Sequence, residues 1–156
     1  MKVVVLDNIR SVYNVGSIFR TCNAAGIEKV ILCGITPTPL DKKGRKRSDF
    51  AKVALGAEDK VIWEYMESTD QALSSLKESG YYVIAIEQDE ISVDYKEVSI
   101  DRKEDVAFVI GTEVDGMKQE DIALCDVVAE IPMLGSKESL NVTIAFGIAV
   151  YRILGI

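Results

Sequence analysis

The chain has 156 residues, of which 48% are hydrophobic and 28% are charged, a composition typical of one globular domain with a substantial core. It contains no histidine, so a Ser-His-Asp triad and a zinc site are both close to excluded. The formal net charge of −7 argues against a uniformly basic surface for nucleic acid, although it allows a local basic patch.

The sequence carries no signal for a membrane or a secretory route. The apolar run at residues 3–6 is too short for the hydrophobic part of a signal peptide, and the C-terminal apolar run is too short and too interrupted to span a bilayer. Three widely spaced cysteines, Cys22, Cys33 and Cys125, favour core packing in a reducing compartment over a redox or metal role. We therefore expect a cytoplasmic protein with no membrane segment and no metal.

Strands and helices alternate along the chain. Apolar runs predict strands at residues 2–6, 29–33, 61–65, 81–86, 106–110 and 127–131, and polar or periodic segments predict helices at 14–25, 70–78, 118–124 and from about 139 to the end. Such alternation favours an α/β fold, with a mostly parallel sheet and helices on both faces, in one domain over residues 1–156.

The first helix is predicted to begin at Asn14 as N-cap and to end at Gly26. Its apolar residues repeat with the helical spacing i, i+3, i+4, i+7, at Val15, Ile18, Phe19 and Cys22. Arg20 lies beside this stripe, so its aliphatic stem can pack while its guanidinium reaches the edge of the sheet.

The last helix is predicted to open at Ser139 or shortly before it, and it is apolar on nearly every face. The apolar residues are Ile144, Ala145, Phe146, Ile148, Ala149 and Val150. A surface helix would show one apolar stripe and one polar face, so we expect this helix to be covered by its own sheet and by a second copy of the chain. The alternative is an ordinary buried C-terminal helix.

Residues 36–52 form a basic segment in an otherwise acidic chain. It contains two prolines and six of the eighteen basic residues, Lys42, Lys43, Arg45, Lys46, Arg47 and Lys52. We interpret it as a loop that contacts the phosphate backbone of a nucleic acid, and the alternative is a solvated flexible loop. Residues 53–58 are predicted to form a short helix or turn.

Three polar clusters fall at helix starts or after strands, where open parallel sheets bind their ligands. They are N-x-G-x-x-x-R-T at 14–21, I-G-T-E-V-D-G at 110–116 and the loop at 131–141. The second has neither the Gly-Lys-Ser/Thr of a phosphate loop nor the G-x-G-x-x-G of a dinucleotide site, which disfavours nucleotide triphosphates and nicotinamide cofactors. Each cluster alone is weak evidence for a site.

Taken together, in this order and spacing, the clusters resemble the three motifs of the SpoU branch of the SPOUT RNA methyltransferases, which includes TrmH-like enzymes. The resemblance runs from Asn14 to Leu154. It implies an α/β fold with a C-terminal trefoil knot, a homodimer formed through the C-terminal helix, S-adenosylmethionine as methyl donor and a ribose 2'-hydroxyl of RNA as acceptor. One departure is Thr112, where the family commonly has Asn.

Carried over by position, the resemblance also implies the site residues. The cofactor is expected at Gly111, Gly116, Ile131, Met133, Ser139 and Leu140. The catalytic group around the ribose is expected to be Arg20, Asn14, Glu113, Ser139 and Asn141, and the RNA-binding residues Lys42, Lys43, Arg45, Lys46 and Arg47. Because no further RNA-binding module is evident, tRNA is favoured over ribosomal RNA as substrate. The alternative from a different functional class is a binding protein, a knotted dimer that binds RNA without catalysis.

Overall fold

The computed structural model describes residues 1–101, 104–112 and 114–156. Within them one sheet carries helices on both faces. Its strands are β1 (Lys2–Asp7), β2 (Lys29–Cys33), β3 (Ile62–Met66), β4 (Tyr82–Ile86), β5 (Val93–Asp94), β6 (Val106–Ile110) and β7 (Val127–Glu130). The helices are α1 (Val12–Ala25), α2 (Ser48–Ala54), α3 (Thr69–Glu78), α4 (Gln119–Ile122) and α5 (Val142–Leu154), with a 3-10 turn at Ala57–Asp59. None of the helices described is both long and apolar enough to cross a bilayer.

The strand order is β3-β2-β1-β6-β4-β7-β5, and every neighbouring pair is parallel. This confirms the predicted parallel α/β sheet. The chain winds outward from β1 through β2 to β3 and then crosses to the other side of β1, so the winding direction reverses beside β1 and β6. In open parallel sheets, ligands bind at the carboxyl ends of the strands near such a reversal.

The two faces of the sheet have separate cores. Helices α1, α2 and α5 cover one face, where the predicted stripe of α1 is fully buried and the rings of Phe19 and Phe50 meet edge to face with centroids 5.2 Å apart. Helices α3 and α4 cover the other face, where Leu73 and Ile122 pack against the sheet. Burial on both faces explains why the inner strands read as continuous apolar runs.

Two predicted helix starts were wrong. Helix α1 begins at Val12, and the side chain of Ser11, not Asn14, is its N-cap, because the Ser11 hydroxyl oxygen accepts the backbone N–H of Asn14 at 3.2 Å. Helix α5 begins at Val142, three residues after Ser139, with Asn141 as N-cap. In both cases the helix begins directly after a residue whose side-chain oxygen accepts one of the free backbone N–H groups of the first turn.

The basic segment is more ordered than a plain loop. Residues 40–46 form a tight turn closed by a bridge between Leu40 and Lys46, and the end of the segment is already helical in α2. Strand β5 was not predicted, because two residues cannot display an alternating pattern.

Candidate functional site

A cavity of about 370 Å³ opens where β4, β6 and β7 end and where the chain approaches α5. All six residues predicted to hold the cofactor line it, namely Gly111, Gly116, Ile131, Met133, Ser139 and Leu140. These residues come from two separate segments of the sequence, residues 110–116 and 131–141. The fold therefore brings the second and third polar clusters to one site at the carboxyl edge of the sheet.

Two glycines let the backbone itself form part of the cavity wall. A Cβ atom on Gly111 would lie 2.7 Å from Cγ of Met117 and 3.0 Å from the backbone carbon of Gly116. Gly116 has φ +65°, and a Cβ atom there would lie 2.9 Å from Oε2 of Glu87. A side chain at Gly111 would force the loop after β6 to move, and one at Gly116 would have to displace the Glu87 carboxylate and adopt a left-handed backbone.

Thr112, shortly after strand β6, accepts hydrogen bonds from two residues of the following loop. Its carbonyl oxygen accepts the N–H of Gly116 at 3.2 Å, and its hydroxyl oxygen accepts the N–H of Asp115 at 3.1 Å. The hydroxyl of Thr112 therefore helps to hold this loop. Glu113, predicted to be catalytic, lies outside the described residues, and its role stays a prediction.

Glu87, which follows β4, is a cavity residue that the sequence analysis missed. Its Oε2 accepts the backbone N–H of Met117 at 3.1 Å, and its Oε1 accepts the N–H of Gln88 at 2.8 Å. Glu87 thus ties the end of β4 to the loop after β6. The available signal was two polar residues, Glu87 and Gln88, directly after a predicted buried strand, the same signal that identified the loop after β6.

The lining of the cavity is mixed in character. Apolar side chains of Ile86, Ile110, Ile131, Met133 and Leu140 stand beside the carboxylates of Glu87, Asp115 and Glu138. Apolar walls suit a flat heterocycle, and carboxylates suit hydroxyl groups and cations. S-adenosylmethionine combines an adenine ring, a ribose and a positively charged tail, so the residues present fit this cofactor.

The residues predicted to surround the ribose are only partly brought together. Ser139 lines the cavity, and Asn141 lies two residues further on at the start of α5. Asn14 is buried and Arg20 is exposed on α1, which packs against α5. Among the described residues, Asn14, Arg20 and Asn141 do not contribute to the wall of this cavity.

The turn at residues 40–47, which we call the basic turn, carries its own counter-charges. The side chain of Asp41 accepts the backbone N–H groups of Lys43 and Arg45 at 2.8 and 2.9 Å, and the N–H of Arg45 contributes most to lowering the pKa of this carboxyl. The guanidinium of Arg45 also forms an ion pair with the Asp41 carboxylate at 2.8 Å. Asp41 therefore holds the turn together while leaving Lys42 and Lys43 exposed.

The next two basic residues of the turn pair with other carboxylates. Lys46 lies 2.7 Å from Asp59, whose hydrogen bond raises the pKa of the ammonium group. Arg47 lies 2.7 Å from Asp49, and this hydrogen bond lowers the pKa of the Asp49 carboxyl. In the part of the chain that the structure describes, no carboxylate pairs with Lys42 or Lys43.

The three cysteines behave as core residues. Burial raises the pKa of the Cys33 and Cys125 thiols to about 12 and raises that of Cys22 as well. A thiol with so high a pKa stays protonated at neutral pH, and the protonated form is a poor nucleophile and a poor metal ligand.

Comparison with known proteins gives consistent similarities. The sequence profile described as the SpoU rRNA Methylase family matches residues 1–151. A 23S rRNA (guanosine-2'-O-)-methyltransferase RlmB of Ralstonia nicotianae is 34% identical over 154 residues, and the match covers 96% of this chain and 57% of that protein. The chain spans little more than half of the length of the curated relatives that it matches.

Two solved structures are similar in fold. The AdoMet-bound rRNA methyltransferase of Sinorhizobium meliloti has 30% identity and a TM-score of 0.84, with 97% of this chain and 54% of that chain covered. The TrmH/SpoU tRNA modifying enzyme of A. aeolicus has 28% identity and a TM-score of 0.81, with 97% of this chain and 72% of that chain covered.

Proposed function

The chain belongs to the SpoU rRNA Methylase family, and on this premise we propose that it transfers a methyl group from S-adenosylmethionine to a ribose 2'-hydroxyl of RNA. The observation that carries the proposal is the meeting of the six predicted cofactor residues around one cavity. One relative is named for guanosine 2'-O-methylation, and one similar structure has AdoMet bound. These properties belong to those proteins, and they support the proposal for this chain.

We assign the cofactor to the cavity at the carboxyl edge of the sheet. The backbone at Gly111, Gly116 and Ile131 offers N–H and C=O groups to its polar atoms, while Met133 and Leu140 contact its apolar surface. S-adenosylmethionine supplies an electrophilic methyl group on a sulfonium centre. The protein then has to align the acceptor hydroxyl with this methyl group and to help the hydroxyl lose its proton.

Arg20 is the proposed group that acts on the hydroxyl. A guanidinium stays protonated at neutral pH, so Arg20 cannot serve as a simple base. It orients the 2'-oxygen and stabilises the negative charge that develops there, while an RNA phosphate takes the proton. Asn14, Ser139 and Asn141 hold the ribose with short polar side chains, and Glu113 completes this proposed group.

RNA binding is assigned to the basic turn. Lys42 and Lys43 are exposed, and no described carboxylate neutralises them, so they are the strongest phosphate-binding candidates of the turn. Arg45, Lys46 and Arg47 are paired with carboxylates and shape the turn, and each can exchange its partner for a phosphate.

Changing Lys42 and Lys43 together to Gln is expected to weaken RNA binding several-fold at low salt and to make the salt dependence shallower, because two phosphate contacts are lost. Filter binding at several salt concentrations measures both effects, and calorimetry with S-adenosylmethionine should show unchanged cofactor affinity. The matched control changes Lys96 and Lys118 to Gln, which removes the same charge from other exposed surface. Equal RNA affinity of the test and control variants would contradict the assignment.

We further propose a homodimer through α5 and a C-terminal trefoil knot. Ile144 and Ile148 leave 52% and 39% of their surface exposed on α5, although the helix is apolar on nearly every face. This uncovered side supports a second copy as its cover. The contacts of α5 with α1, β4 and β6, three elements far earlier in the sequence, support a return of the chain end toward the middle of the fold.

The proposed substrate is tRNA, with ribosomal RNA as the alternative. The names of similar proteins include both RNA classes, so the experiment must separate them. Transfer of tritiated methyl groups from S-adenosylmethionine should label unmodified tRNA or 23S rRNA, with ribose methylation read by nuclease digestion. Labelling of rRNA alone would reject tRNA, and no labelling of either, with both ligands bound, would favour the non-catalytic dimer.

The role of Arg20 is tested in the same assay. Arg20→Ala should lower methyl transfer by at least about a hundred-fold while leaving S-adenosylmethionine affinity intact, because an aligned donor to a developing oxyanion is lost. Arg20→Lys keeps the charge but not the planar fork and should recover only part of the activity. A fully active Arg20→Ala variant would overturn the assigned role.

A further inference from the structure

A second cavity, of about 210 Å³, lies beside β3 at one edge of the sheet. Its walls include Lys46 and Arg47 of the basic turn, Ala51 of α2, Glu58 and Asp59 of the 3-10 turn and Trp63 of β3, and we call it the Trp63 cleft. Strands β2 and β1 separate β3 from β6, the nearest strand of the cofactor cavity, so these two strands lie about 14 Å apart across the sheet. The proposed reaction does not use the cleft.

Glu58 gives the cleft an unfilled hydrogen-bonding group. Its Oε2 is buried, and it has no hydrogen-bond partner among the described residues. Both oxygens of Glu87 in the cofactor cavity, by comparison, accept backbone N–H groups. Buried polar atoms are nearly always paired, so this oxygen lacks a donor, and an N–H of a ligand in the cleft can supply it once the carboxylate turns toward the cleft.

The backbone that leads to Glu58 is also unusual. Leu55 has φ +53° and Gly56 has φ +87°, two consecutive left-handed residues that turn the chain from α2 into the 3-10 turn. The left-handed conformation is costly for leucine, and 68% of the Leu55 surface is exposed, so burial of its side chain does not hold it there. This turn carries Glu58 into the wall of the cleft.

A phosphate is disfavoured as the group that meets Glu58. The basic side chains of the wall, Lys46 and Arg47, reach a phosphate only by leaving Asp59 and Asp49. A phosphate deep in the cleft would lie beside the carboxylates of Glu58 and Asp59. A neutral, flat group with N–H donors suits the wall formed by Trp63 and Glu58, while Lys42 and Lys43 on the same turn remain open to phosphates outside it.

We propose that the Trp63 cleft binds a guanine base of the RNA substrate, a base other than that of the methylated nucleotide. Guanine offers a ring N–H and an amino group side by side on its pairing edge, and a carboxylate accepts both. Trp63 supplies the aromatic surface for stacking. The inference rests on the proposed function in that it takes RNA as the substrate, and it adds a base-specific contact at the edge of the domain.

The chain provides its own probe, because Trp63 is its single tryptophan. Uridine-rich oligoribonucleotides with one central guanosine, inosine or adenosine are titrated while Trp63 emission is followed. The guanosine oligomer should quench Trp63 saturably. Inosine lacks only the amino group and should bind about ten-fold more weakly, since a hydrogen bond to a charged acceptor is lost. Adenosine should bind at least as weakly.

Two variants make the test specific. Glu58→Gln should lower the affinity for the guanosine oligomer about ten-fold and abolish the preference over inosine, because the amide places an NH₂ donor opposite one of the two guanine N–H groups. Glu78→Gln, an exposed carboxylate on α3, is the matched control and should bind as the unmodified chain does. Should Glu58→Gln fail to fold, Ala51→Met narrows the cleft without changing its charges and should weaken guanosine binding.

The outcomes separate this inference from the proposed function. Equal quenching by the three oligomers, or unchanged guanosine preference in Glu58→Gln, overturns the guanine site even where methyl transfer succeeds. Guanosine-specific quenching that depends on Glu58 supports the site even where transfer fails, since the fluorescence titration needs neither cofactor nor turnover.

Discussion

Gly111 shows how one residue without a side chain can define a binding site. The space that its Cβ atom would take is already filled by Met117 and by the backbone at Gly116, two residues of the loop that walls the cofactor cavity. The loop and the end of β6 therefore approach more closely than any other residue would allow. This close approach brings backbone N–H and C=O groups to the cavity surface.

Gly111→Ala should lower the affinity for S-adenosylmethionine at least about ten-fold, because the loop must move by several tenths of an ångström to admit the methyl group. Isothermal titration calorimetry measures the affinity, and filter binding should show RNA affinity unchanged. Gly135→Ala is the matched control, since a Cβ atom at Gly135 meets nothing within 4 Å. Unchanged cofactor affinity in Gly111→Ala would show that the loop yields without cost.

The same site shows what the sequence could predict at the level of residues. Gly111, Gly116 and Ser139 were predicted through motifs of fixed spacing, and all three line the cavity. Glu87 was not predicted, because it belongs to none of these motifs and its role is visible only when the ends of β4 and β6 lie side by side. Glu58 and Trp63 were missed for a similar reason. The cleft between them depends on left-handed backbone at Leu55 and Gly56.

At the scale of elements, the start of α5 combines a structural and a proposed catalytic role in Asn141. Its Oδ1 accepts the backbone N–H of Thr143 at 2.9 Å and the hydroxyl of Thr143 at 2.6 Å. The side-chain oxygen is therefore committed to capping the helix. The Nδ2 group is the part of the side chain that we assign to the ribose.

Two substitutions of Asn141 should separate these roles. Asn141→Ala should destabilise the fold by about 1 kcal/mol through loss of the cap, equivalent to a fall in Tm of about 2–4 °C, and should also lower methyl transfer. Asn141→Asp keeps a capping oxygen and should preserve Tm, yet it loses the N–H donor and should lower methyl transfer as Ala does. Thermal denaturation and initial rates measure the two effects. Full activity in Asn141→Asp would restrict this residue to capping.

Two element boundaries differ from the prediction for physical reasons. Residues 48–52 of helix α2 were predicted as loop, because the only buried residues of this helix are Phe50 and Ala54, too few to produce a visible period. Helix α5 was extended to Ser139, since the residues before it are polar and small and do not exclude a helix. The inner strands β1 and β6 were predicted within one residue, because burial on both faces leaves long apolar runs.

At the scale of the whole molecule, α5 stands out among the described helices because it is almost entirely apolar and yet leaves large apolar side chains exposed. Phe146, Ala149 and Val150 are fully buried against the sheet and α1, whereas Ile144 and Ile148 remain exposed on the same helix. These two isoleucines are four residues apart and so lie next to each other on one face. A second copy of the chain would cover them and would bring a second α1, with its Arg20, near the interface.

Changing both Ile144 and Ile148 to Glu should therefore convert a dimer into a monomer, because each carboxylate would have to be buried without a partner in the interface. Sedimentation equilibrium at micromolar concentration measures the change.

Two further readouts follow the loss of the dimer. Methyl transfer should fall if the partner completes the site, while the Tm of the monomer should change little, since the positions are exposed in the single chain. Ile91→Glu is the matched control, because Ile91 is 67% exposed in the loop before β5 and does not belong to α5. A double variant that stays dimeric would move the interface to another surface, and a monomer with full activity would show that one chain holds every group the reaction needs.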